Sequence, residues 1–314
     1  GVNMVYACYF YTDDTDKFVQ SLLDGLSGRV KIDMACLSGP DFKTSDNRVL
    51  SLKLVQYGLT EVAMFGPDGR PVHPSEFLYR KSLMVVRGNY RPPTVVSLDV
   101  FDSAFEMFCD EELVDPDDAR LLVEITLQNL SRETNIDEQD FISRAESLCA
   151  LGKTVIISNC EHHQVLINYL SEYKIRQLGL VIGARELTDL IREKYEQNKE
   201  GRLLVAFGEL FSKNIRVYAY PALDEKTDQL ITTANLPVPD GIKFLYKHLI
   251  DSQYIVDVRG ARTDLLHIMP HDIYQMIQNG EKGWEKAIPK EVVDRIEEKG
   301  LFGYPLERIK AGNQ

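Results

Sequence analysis

Apolar runs rich in Val, Ile and Tyr alternate with amphipathic stretches from the first residues to beyond Tyr220. Short continuous runs predict buried strands, and apolar positions three and four apart predict helices. Their alternation predicts an α/β protein with a largely parallel, Rossmann-like sheet flanked by helices. In the first part of the chain the pattern predicts strands over 5–11, 30–37, 61–65 and 83–87, with helices over 13–26 and 47–57. In the middle it predicts helices over 96–108, 137–151, 163–173, 186–197 and 203–211. These are interleaved with strands over 121–127, 154–157, 178–182 and 215–220. Residues 221–241 read as a loop or small hairpin. A mostly helical tail follows, with helices over 242–250, 270–279 and 289–299 and a short strand over 254–258.

A length of 314 residues fits two or three modules. The stretch RGNYRPPT at 87–94, with one glycine and two prolines, marks a boundary. The expected division is an α/β module over 1–90, a Rossmann-like α/β module over 91–220, and an α-rich segment over 221–314 packed on both. A net charge of −12 disfavours a nucleic-acid partner. No apolar stretch reaches membrane-spanning length. The five cysteines are widely spaced with no CxxC pair, which predicts free thiols in a reducing compartment, the cytoplasm, and no metal site. Gly1-Val2-Asn3 leads almost at once into an apolar run, as expected of a tag remnant or of the carboxyl portion of a longer polypeptide.

Sites in such sheets lie at the carboxyl ends of strands. The sequence VIISNCEHH, 155–163, carries a buried strand straight into six polar or reactive groups. There Ser158 and Asn159 would hydrogen-bond a ligand or cap the next helix. The segment Ser38-Gly39-Pro40-Asp41, followed by Lys43 and Asp46-Asn47-Arg48, reads as a second loop of the same kind, and Gly183 to Arg185 as a third. In the predicted site Arg48 and Arg185 offset anionic charge, Asp41 or Glu124 accepts hydroxyls, and Ser38, Asn47 and Asn129 add polar contacts. Cys160 beside His162 and His163 lacks the spacing of a metal site and the third group of a catalytic triad. Gly152-Lys153-Thr154 resembles the end of a P-loop, but it follows a helix and precedes a strand, the reverse of the required order. No GxGxxG dinucleotide fingerprint occurs, and no cofactor is indicated. SLDVFDS at 97–103 resembles the nucleophile loop of haloacid-dehalogenase-type phosphatases, with Asp99 as nucleophile. The helical spacing of Leu98, Phe101, Phe105 and Phe108 favours a helix there instead.

The strings SGPDF, DNRVLSLKLVQYGLTEVAMF, VIISN, LITTANLPVPD, GWEKAIP and GLFGY resemble one bacterial protein family over nearly the whole chain. The resemblance implies a longer polypeptide with an additional amino-terminal region. It favours the SGP…DNR and ISN loops as sites, whereas the Cys-Glu-His-His continuation departs from the family pattern. Members often carry the label nicotinate-nucleotide adenylyltransferase or TonB-dependent receptor. The HxGH and SxTxxR motifs of the first and the serial alternating strands of the second are absent from this sequence.

The sequence therefore predicts a site for a small molecule, a nucleotide or phosphorylated metabolite, built on strand-end loops. The alternatives are a non-catalytic structural or oligomerisation module and, more weakly, a phosphatase. A homo-oligomer, or association with the missing amino-terminal region, is expected.

Overall fold

A computed structural model describes residues 1–26, 29–42, 45–132, 135–198, 200–211, 214–224 and 226–306. Seven strands form one sheet: β1 (Val62–Phe65), β2 (Ser82–Arg87), β3 (Ala119–Thr126), β4 (Thr154–Ser158), β5 (Leu178–Gly183), β6 (Ile215–Tyr220) and β7 (Ile255–Asp257). Their spatial order is β1-β4-β3-β2-β5-β6-β7. All neighbours run parallel except β1, which pairs antiparallel with β4 at one edge. From β4 to β7 this is the doubly wound order, with β2 as the first strand and a reversal between β2 and β5. The chain is an α/β protein of Rossmann-like architecture.

The sheet is apolar on both faces because both are covered. Leu83 and Val85 of β2 face one core, while Met84 and Val86 face the other. Helices α4 (Val95–Cys109) and α5 (Glu138–Ala150) cross over between β2, β3 and β4, and they bury Phe101, Phe108, Phe141 and Leu148 on one face. The later crossovers, α6 (His163–Ser171), α7 (Ala184–Asn198), α8 (Leu203–Leu210) and α9 (Lys243–Asp251), bury Leu166, Leu187, Phe207 and Leu249 on the other. The change of face accompanies the change of direction, so the carboxyl ends of β2 and β5 diverge and leave a crevice. The tail helices α10 (Pro270–Asn279) and α11 (Lys290–Lys299) close a small core around Trp284 and dock on α5, where Lys299 bonds Glu146 at 2.6 Å. No helix among the described residues is long and apolar enough to cross a membrane.

Two predicted strands are not strands. Residues 2–10 form helix α1 (Val2–Phe10), and 30–37 is irregular. A short apolar run does not distinguish helix from strand, and a strand needs a partner edge that a helix does not. The apolar residues Ile32, Ala35 and Leu37 serve a satellite core instead, with Ala7, Phe18 of α2 (Thr15–Ser21), and Leu50 and Leu54 of α3 (Asn47–Gln56). Among the described residues, the backbone tie of this segment to the rest is one bond, Ile32 N–H to Leu59 O at 3.3 Å, and the Asn47 amide brackets Leu37 from both sides. The predicted helix over 13–26 ends at Ser21. A helix at Pro74–Leu78 carries too few apolar positions to show a period and was not predicted.

Phe141 is fully buried and meets Phe65 edge-on at a centroid distance of 6.4 Å. Phe141→Ala is expected to cost about 3–5 kcal/mol of stability, read from denaturant unfolding. A loss under about 1 kcal/mol would contradict this packing.

Candidate binding site at the strand reversal

Strand β3 reads ARLLVEIT, and its one carboxylate, Glu124, is completely buried. A buried charge needs a partner. Arg87, its register mate at the end of β2, supplies one: Nε donates to Glu124 Oε2 at 2.8 Å and Nη2 donates to Oε1 at 3.1 Å. From β4, Ser158 Oγ donates to Oε1 at 2.5 Å. The remaining arm of Arg87, Nη1, donates to Glu161 O at 2.9 Å. Three adjacent strands are thus joined at their carboxyl ends by one carboxylate.

The loop that leaves β2 is held from several directions. The Gly88 N–H donates to Glu124 O at 3.1 Å. Tyr90, at φ +49°, folds back so that its hydroxyl donates to Val86 O at 2.7 Å. A Cβ on Gly88 would stand 2.8 Å from the Tyr90 ring, so only glycine fits there. Arg144 Nη1 donates to Asn89 O at 2.9 Å and to Asn129 O at 3.0 Å. Arg91 stacks on Tyr274, 4.1 Å from the ring centroid, and pairs with Asp140 at 2.6 Å. A loop tied at this many points keeps one conformation.

Between this loop, the first turns of α4 and the end of β5 lies a cavity of about 240 Å³. Tyr90, Phe101, Val181 and Tyr220 form much of its wall, Gly183 opens it on the β5 side, and Ile268 and Pro270 cover it. Thr94 and Ser97 stand at the start of α4 like the two ends of a capping box. The Thr94 N–H reaches Ser97 Oγ at 3.2 Å, and the buried Thr94 Oγ1 faces the Ser97 N–H in return.

The predicted site residues divide. Glu124 and Ser158 meet at Arg87, and Asn129 joins them at the rim through its Nδ2 bond to Gly88 O at 3.4 Å. Arg185 follows β5 on the same rim, with its guanidinium on Leu223 O. Asn159 is exposed, and its N–H donates to Glu61 O at 3.0 Å. Ser38 and Asp41 are exposed, and Asn47 is used in holding Leu37. Lys43 lies outside the described residues. Arg48 is on the opposite rim, where it pairs with Asp46 at 2.7 Å and Glu146 at 2.6 Å beside the loop that follows β1. The 38–48 loop follows no strand, so it does not reach the carboxyl ends. Sequence reasoning missed Arg87, whose signal was the lone acidic residue inside an apolar strand.

Asp99 lies inside α4, where it accepts from the Tyr220 hydroxyl at 2.5 Å and from the Arg262 N–H at 2.9 Å. It is no strand-end nucleophile. Burial pushes the Cys160 thiol up to about 12, so it is no thiolate. Ser158 is buried beyond the reach of a substrate. Burial, with Arg87 adding, pushes His163 down to about 3. Glu186, in the first turn of α7, is exposed. Among the described residues, no cluster of three or more His, Cys, Asp or Glu side chains can hold a metal ion.

No protein-family model matches the chain, and no curated protein sequence matches it. Solved structures do. The chain is similar to a Plasmodium falciparum nicotinic acid mononucleotide adenylyltransferase complexed with APC, at 10% identity and a TM-score of 0.42, over 72% of this chain and 100% of that one. The same enzyme complexed with NaAD gives 10% identity and a TM-score of 0.41 over the same shares. The fold assignment rests on the strand order given above.

His163 gives a pH prediction. Its folded value lies below the unfolded value of about 6.5, so the unfolded chain binds the extra proton between about 6.5 and about 3. Stability from this residue is present above that window and is lost as pH falls through it. The NMR signals of His163 are expected to stay those of a neutral imidazole at pH 5; a midpoint near 6.5 would refute its burial as described.

Proposed function

We propose that this chain binds a nucleotide or phosphorylated metabolite in the crevice between the carboxyl ends of β2 and β5. The observation that carries the reading is the position of the cavity. It lies where the strand order reverses, which is where open α/β sheets bind ligands. The fixed 88–94 loop at its wall supports a site kept for an occupant. The reading places the chain in the cytoplasm, in keeping with its five free cysteines.

Gly183 supplies the test. It lines the cavity, and a Cβ there would meet no atom within 4 Å. Gly183→Leu therefore grows into open space without displacing the core. In thermal-shift titrations with nucleotides, nicotinamide compounds and sugar phosphates, at least one compound is expected to stabilise the wild type by several degrees. The variant should keep the unliganded melting temperature and lose that stabilisation. A folded wild type stabilised by none of them refutes the reading, as does a variant that responds equally.

A second reading, an assembly role, is favoured by α1. Its sequence VNMVYACYF has no charged residue, and Val2, Val5, Tyr9 and Phe10 are exposed while Ala7 alone is buried. A contiguous apolar surface of this kind marks an interaction face, and we assign it to a second copy of the chain. Sedimentation at tens of micromolar is expected to give a dimer that Tyr9→Asp dissociates. A wild-type monomer would overturn the assignment.

A further inference from the structure

We propose that residues 268–306 are a detachable cover for the cavity, and that their docking on α5 sets the 88–94 loop and so regulates binding. This rests on the binding reading above and adds the means by which that site is controlled.

The first observation is the surface on which the tail sits. Helix α5 is buried on two sides. Phe141, Ala145 and Leu148 face the sheet core. Asp140, Ser143, Arg144 and Ser147, at i, i+3, i+4 and i+7, form a second stripe that is polar and buried as well. The tail lies over that stripe: the Phe302 N–H donates to Ser143 Oγ at 3.2 Å, and Lys299 pairs with the neighbouring Glu146 at 2.6 Å. A surface helix normally turns its polar face to water, so lifting the tail returns this stripe to solvent without opening the sheet core. Polar interfaces of this kind join units that move relative to one another.

The second is that the tail holds itself together. Ile277, Trp284, Val292, Ile296 and Phe302 belong to a core of their own, separate from the two cores of the sheet. Among the described residues, Leu151 at the end of α5 is the one hydrophobic side chain from outside the tail that packs against it.

The third is the connection to the site. Ile268 and Pro270 line the cavity. From α10, the Tyr274 ring carries the Arg91 guanidinium, and its hydroxyl accepts from Arg91 Nη2 at 2.6 Å. Arg91 pairs with Asp140, and Arg144, bonded to the same carboxylate, holds Asn89 O. The tail and the 88–94 loop therefore share one chain of contacts. Undocking takes Tyr274 from Arg91 and removes part of the cavity wall. If docking favours binding by some factor, binding favours docking by the same factor.

The test is hydrogen exchange on the full chain. The wild type is compared with Lys299→Glu, which sets a second carboxylate against Glu146, and with the double variant Lys299→Glu/Tyr274→Ala. Amides of α10, α11 and the 88–94 loop are expected to exchange about tenfold faster in the single variant and faster again in the double, with those of β2 and β5 unchanged. Trp284, the one tryptophan of the sequence, is fully buried, and its emission should stay that of a buried indole. Tail amides that exchange only together with the sheet in all three proteins would overturn the proposal. A loosened tail beside an 88–94 loop that keeps its protection would do the same, as would a solvated Trp284 in the single variant. Thermal shift and calorimetry with ATP, nicotinamide mononucleotide and ribose 5-phosphate form the second arm. A compound that stabilises the wild type is expected to slow exchange in the tail and to bind Lys299→Glu about tenfold more weakly. Equal affinity for an undocked Lys299→Glu protein would overturn the regulation. No stabilisation by these compounds or by the wider panel above would overturn the binding reading, and the exchange arm alone would then decide whether the tail holds the loop.

Discussion

One buried carboxylate organises the site end of this protein. Glu124 sits fully enclosed in β3 and is satisfied by Arg87 from β2 and Ser158 from β4. Removing one partner of such a pair leaves an uncompensated charge and costs about 3–5 kcal/mol. The pair therefore fixes where β2 ends, and so where the 88–94 loop begins. That loop is then held by Arg144 and by the stacking of Arg91 on Tyr274. The geometry of the cavity follows from these anchors, because its walls are the loop, the start of α4 and the divergent end of β5.

The sheet supplies the space, and the Glu124–Arg87 pair holds its edge. A reversal of strand order opens a crevice in any doubly wound fold. Here the crevice is small and largely apolar, and the one cation that lines it among the described residues, Arg87, is already paired with Glu124. The chain as a whole carries −12, so attraction of an anion to this rim is weak at long range as well.

Much of the fold was legible in the sequence. Strands β2 to β6 are continuous apolar runs bounded by turn residues, and the helices between them show their period, so the alternation carried the architecture. The first forty residues were not legible in the same way. Their apolar residues are as dense as those of the strands, but they serve a satellite core with α3, and hydrophobicity alone does not say which core a run joins. The site was half legible for a related reason. Glu124, Asn129 and Ser158 stand at true strand ends, so the rule that sites lie there found them. Arg48 obeyed the same rule only on the assumption that 30–37 was a strand, and without that strand its loop falls on the opposite rim beside Glu146. Arg87 was missed because it was read as the end of an element rather than as the counter-charge that Glu124 required.

The central claim is that the ligand enters at the reversal between β2 and β5. Chemical-shift mapping on the labelled chain, titrated with nucleosides and nucleotides, tests this most directly. The account predicts the largest amide shifts at Gly88, Ser97 and Gly183. Shifts centred instead on Arg48, Gly69 and Glu146 at the opposite rim would contradict it.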